Sequence, residues 1–82
     1  MSEERSTHAV ADGIQVPDDL VPAEVELVGV DGNAGSIMAA ITRPLKRKGN
    51  PTWMIELFRE QCMEGDYDHL IRCAMAYNGT LD

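Results

Sequence analysis

Between residues 23 and 45 the spacing of the apolar residues changes, and that change restricts the fold more than any other feature. Over residues 23–30 apolar and polar positions alternate, with Val25 and Leu27 on one side and Glu24 and Glu26 on the other. Period two is the signature of a strand with one wet face. Past residue 36 the apolar positions Ile37, Ile41 and Leu45 step by four, which places them on one stripe of a helix. A chain that switches period in this way belongs to the α+β class. The join, Asp31, Gly32, Asn33, Ala34, Gly35 and Ser36, holds a turn dipeptide and three residue types that cap helix N-termini.

Past this join the chain reads as helical. Pro44 lies inside the first helical stripe, where a proline removes a hydrogen bond and clashes with the preceding turn. The sequence therefore predicts a kink at Pro44, or an end near Thr42 and a restart. Lys48, Gly49, Asn50 and Pro51 form a stop. A second helix from Pro51 or Thr52 to Met63 buries Met54, Ile55, Leu57, Phe58 and Cys62, with Trp53 at its edge and Glu56, Arg59 and Glu60 facing water. After Gly65, Asp66 caps a third helix that buries Leu70, Ile71, Ala74, Met75 and Tyr77 and ends at Asn78, Gly79 and Thr80. Residues 13–16 read as a short strand. A lone strand leaves its backbone groups unpaired, so residues 23–30 require residues 13–16, a C-terminal segment or a second copy of the chain as partner. The expectation is a short β-hairpin or single strand followed by three helices. A disordered N-terminal tail spans residues 1–11 and a single domain spans residues 12–82.

At 82 residues there is room for one domain with a thin core. No apolar run approaches the roughly 18–20 residues that cross a membrane, and no signal-peptide core follows the polar start. The two cysteines, Cys62 and Cys73, are too few for a disulfide scaffold. The reading is a reduced, cytoplasmic protein with free thiols.

The net charge of -7 is unevenly laid out. Residues 1–31 carry eight acids against one base, and residues 50–82 carry six acids against two bases. Between them, residues 32–49 hold no acid and four bases, Arg43, Lys46, Arg47 and Lys48. Cations favour a helix C-terminus, and the same patch is an alternative site for nucleic acid. The overall acidity opposes non-specific DNA binding, which depends on neutralising phosphates.

Residues 31–36 expose backbone N–H groups at a helix start but lack the lysine and spacing of a phosphate loop. Asp66 and Asp68 are too few for calcium, which takes six to eight oxygens. Cys62, Asp66, His69 and Cys73 share a face, as zinc ligands would, only if one helix runs unbroken through Gly65. No hydrolase or metalloprotease motif is present, and nothing in the sequence brings Cys62 to His69 as thiol and base. No catalytic residue, metal site or cofactor is assigned, and the expectation is a protein that is not an enzyme; a small metal-binding protein or enzyme built on Cys62, His69 and Cys73 is a further alternative.

Two runs carry a resemblance. Gly29, Val30, Asp31, Gly32, Asn33 and Ala34 lead into Ser36, Ile37 and Met38. Gly65, Asp66, Tyr67, Asp68, His69 and Leu70 follow Phe58 and Arg59. Together they resemble small uncharacterised proteins encoded by bacteriophages and prophages, over residues 25–77. The chain departs from that pattern at Gly35 and Pro44. The resemblance implies a phage or mobile-element origin and a location in the host cytoplasm, and it supplies no activity. With the size and charge it leads to an accessory or inhibitory protein that sterically masks a host or phage protein, such as a defence or nucleic-acid-binding component. The partner-binding candidates are Asp31, Gly32 and Asn33 together with Asp66, Tyr67, Asp68 and His69. A homodimer is a further possibility on the strand argument.

Overall fold

A computed structural model of the protein describes residues 5–27 and 32–80. Strand β1 (Thr7–Ala9) pairs antiparallel with β2 (Gln15–Pro17), with His8 opposite Val16. A single 3-10 turn, Ala11–Gly13, closes the hairpin through Val10 N–H to the Ile14 carbonyl at 2.8 Å and Gly13 N–H to the Val10 carbonyl at 3.1 Å. Gly13 takes φ +73°, the left-handed conformation that glycine adopts without a Cβ penalty. The hairpin is followed by three helices, α1 (Ala34–Arg47), α2 (Thr52–Cys62) and α3 (Tyr67–Asn78), each packed on the other two. The fold is α+β, as the sequence predicts.

Each helix begins and ends for a local reason. The Asn33 side chain accepts the Gly35 N–H at 2.8 Å and caps α1. Asp66 caps α3 by accepting the His69 N–H at 3.0 Å. Gly49 at φ +86° and Gly79 at φ +84° close α1 and α3. At Gly79 a Cβ would also come within 2.9 Å of Pro22. The core joins Ile14 and Val16 of the hairpin to Ile37, Ile41 and Leu45 of α1, Ile55 and Phe58 of α2, and Leu70, Cys73 and Tyr77 of α3. The Phe58 and Tyr77 rings meet at 4.9 Å between centroids, tilted by 49°.

Three expectations are corrected. Part of the predicted disordered tail, Thr7–Ala9, is a strand. Its side chains are all exposed, and it is held by backbone pairing together with Thr7 Oγ1 donating to Gln15 Oε1 at 3.0 Å and His8 Nδ1 at 2.7 Å from Asp18 Oδ1, so no apolar pattern announces it. Of the two alternatives at Pro44, the end near Thr42 with a restart is excluded, because α1 runs through Pro44, which is buried with Leu45. Burial of the ring offsets the missing N–H bond. Residues 23–27 form no strand; Val28, Gly29 and Val30 lie outside the described residues.

What replaces the strand ladder is a set of side-chain amides. Residues 14–27 run as an arm across the helices, with a turn at Asp18 and Asp19 and Glu24 at φ +56°. Asn78 accepts the Val25 N–H and donates to the Val25 carbonyl, both at 2.8 Å. Asn50 does the same to Val21, both at 2.9 Å, and also donates to the Leu45 carbonyl. Gln61 does it to Gln15, both at 2.8 Å. Each amide presents a donor and an acceptor side by side, as a neighbouring strand residue would. The arm in turn caps α3, since Ala23 N–H and Glu24 N–H donate to the Tyr77 and Asn78 carbonyls. The C-terminal segment thus partners residues 23–25, but as a helix end. The strand argument for a second copy has no force over those residues.

Candidate functional site

The two polar patches singled out in the sequence meet. Asp31 lies outside the described residues, but Gly32 stands against Tyr67, with a Cβ built there 3.6 Å from the Tyr67 hydroxyl. The start of α1 and the start of α3 therefore form one face. Between them and the arm runs an apolar groove of about 510 Å³, lined by Val25, Leu27, Ile37, Tyr67, Ile71 and Met75, with Glu26 at its edge. Tyr67 is also the wall of a second hollow, shared with Met38, Met63, Leu70 and Asp66. Ile71 and Met75 continue into a third, with Asp68 and Arg72. Tyr67 is 47% exposed and Met63 76%, high values for large apolar side chains in so small a fold.

The other sequence candidates divide by role. Asn33 is spent on capping α1, and Asp66 caps α3 while its carboxylate still faces water. Asp68 is exposed in the first turn of α3. His69 turns inward, its Nε2 lying 2.9 Å from the Gln61 carbonyl and 3.6 Å from Cys73 Sγ. A carbonyl only accepts, so Nε2 carries the proton and cannot take one from the Cys73 thiol. Gly65 has to be small for this, because a Cβ there would sit 2.7 Å from the His69 side chain. Of the basic residues, Lys48 pairs with Glu24 at 2.9 Å, while Arg43, Lys46 and Arg47 are exposed along the second half of α1.

Sequence reasoning missed the groove itself. Ile71 and Met75 read as core, and only the arm's approach shows that they wall an opening. The amides Asn50, Gln61 and Asn78 were equally hidden, since two of them stand in helix-stop runs and Gln61 falls on a face otherwise read as apolar.

Cys62 and Cys73 are free and buried. The chain breaks between α2 and α3, so Cys62, Asp66, His69 and Cys73 do not share one helix face. Among the described residues no group of three or more His, Cys, Asp or Glu side chains is placed to hold a metal ion. Burial, then the neighbouring Cys73, pushes the Cys62 thiol up to about 12. Burial also raises Cys73 and Tyr77. Thiols in this state are weak nucleophiles at neutral pH.

All three groups are acids whose neutral form the fold favours. Their contribution to stability is complete below their unfolded values and is lost as pH rises toward the folded ones. The urea midpoint is therefore expected to hold steady to about pH 8.5 and to fall progressively through about pH 12. A midpoint unchanged between about pH 8 and pH 11 would contradict the burial of these groups.

No helix among the described residues is long and apolar enough to cross a membrane. No family model matches the chain, and neither the curated proteins nor the solved structures hold a match.

Proposed function

We propose that this chain is a non-catalytic accessory protein of phage or mobile-element origin that binds a host or phage protein in the cytoplasm and sterically masks part of its surface. An inhibitor of a bacterial defence or nucleic-acid-binding complex is the specific form we favour. The supporting observation is the meeting of the Gly32 and Tyr67 patches around an open apolar groove. A fold this small has every reason to bury Ile71, Met75 and Tyr67 fully, and an exposed apolar patch marks an interaction site. Tyrosine and methionine suit that role, the first as a rigid contact of large area and the second as an adaptable one. The protonated thiols and the tautomer of His69 give no support to a nucleophile and base pair.

The test is affinity capture from uninfected and phage-infected host lysate, with and without nuclease, using the wild-type chain and Tyr67→Ala. One protein recovered in near-stoichiometric amount despite nuclease, and lost with Tyr67→Ala, is the expected result. Recovery that collapses with nuclease, ignores Tyr67→Ala and disappears with Lys46→Glu plus Arg47→Glu would replace this reading with nucleic-acid binding through the basic end of α1.

A further inference from the structure

We infer that the groove's occupant is a protein segment whose apolar anchors are flanked by lysine or arginine; this rests on the masking reading above and specifies its partner. The three hollows that adjoin at Tyr67, Ile71 and Met75 form one surface, and each has a carboxylate at its edge. Glu26 borders the groove, Asp66 the hollow beside Met63, and Asp68 the hollow beside Arg72. One cation, Arg72, lines the third hollow beside Asp68, so three carboxylates face a single guanidinium around this surface. Arg43, Lys46 and Arg47 follow Ile37 by six, nine and ten residues on the same helix, about 9–15 Å of rise. That exceeds the roughly 8 Å over which charge is felt at physiological salt. A partner entering here meets an apolar floor and a negative rim.

Those charges select among occupants. Phosphate backbones and anionic lipid headgroups bring more negative charge to carboxylates and are repelled. A second copy of the chain carries a net charge of -7 and brings more acid than base to that rim. The surface calls for anchors and cations together. A basic amphipathic segment of another protein supplies both, with anchors at helical spacing seated between Tyr67 and Met75 and cations reaching Glu26, Asp66 and Asp68.

The test is selection of a random library of peptides about 16 residues long, enough for four helical turns, displayed on yeast against the whole immobilised protein. Winners are then measured against wild type, Tyr67→Ala and Asp68→Lys, each checked for native circular dichroism. Both substituted residues are exposed, so the fold survives the changes. The expected winners carry two or three apolar residues at helical spacing with Lys or Arg beside them. Their affinity should fall about ten-fold or more with Tyr67→Ala. It should fall several-fold with Asp68→Lys and again between about 0.05 M and 0.5 M salt. Neutral or acidic winners that still depend on Tyr67 would overturn the charge inference and leave the masking reading standing. Winners indifferent to Tyr67→Ala, or none at all, would overturn both. A dimer in light scattering that Tyr67→Ala dissolves would put a second copy in the groove and overturn the inference.

Discussion

Replacing Asn78 by alanine is expected to lower the thermal midpoint by about 10–20 °C. Asn78 is 1% exposed, and its amide makes both hydrogen bonds of Val25. Alanine supplies neither, and a half-buried N–H and C=O are left where water enters only by prising the arm from α3. Two such bonds at about 1–1.5 kcal/mol each give a loss of about 2–3 kcal/mol. A domain of this size loses about 4–8 °C per kcal/mol. The same substitution reaches the groove, because Val25, Leu27 and Asn78 all line it. Partner affinity should therefore fall even well below the new midpoint, where the helices remain folded. Asn78→Asp is no rescue, since a carboxylate accepts from the Val25 N–H but cannot donate to its carbonyl. Calorimetry would check the first effect and titration with a selected peptide the second. A midpoint lowered by less than about 3 °C would mean that the amide is not what holds the arm.

How the sequence relates to this architecture differs from element to element. The helices were legible because their causes are local. Ile37, Ile41 and Leu45 repeat on one stripe, Asn33 and Asp66 cap, and Gly49 and Gly79 terminate by taking positive φ. The alternation over residues 23–27 was also a true signal of sidedness. Ala23 is buried, Val25 and Leu27 are half-buried, and Glu24 and Glu26 are exposed. It did not mean a strand, since Glu24 takes φ +56°, outside the strand region, and one-sided burial is a property of any segment lying on a surface. The ladder was replaced by amides from residues 50, 61 and 78, and such pairings leave no local trace. Pro44 left a break in α1 open, because its cost is local while the burial that offsets it is tertiary. The candidate site shows the same division. Gly32 and Tyr67 were visible as members of two polar runs, whereas their meeting is set by how α1 packs on α3, and the apolar floor between them looked like ordinary core.

Phe58→Ala should destabilise the fold more than any other single truncation in α2, by about 3–5 kcal/mol. The ring is wholly buried and packs on Tyr77, which is buried too. Tyr77 is more than a neighbour. Its hydroxyl donates to the Gln15 carbonyl at 2.7 Å and accepts from Gln61 Nε2 at 3.0 Å, so it ties β2 to α2 and α3 at once. A void under the ring lets Tyr77 sink, and three hydrogen-bonded groups then lose alignment together. A domain of about 80 residues has only about 4–12 kcal/mol of stability in all, so the alanine variant is expected to be largely unfolded in mild urea. Phe58→Leu keeps most of the apolar volume and should cost about 1–2 kcal/mol. The comparison of the two isolates the void from the mere loss of an aromatic ring. If urea unfolding places alanine and leucine within about 1 kcal/mol of each other, the core does not rest on Phe58. The hairpin would then be held by the Gln61 and Tyr77 hydrogen bonds without support from below.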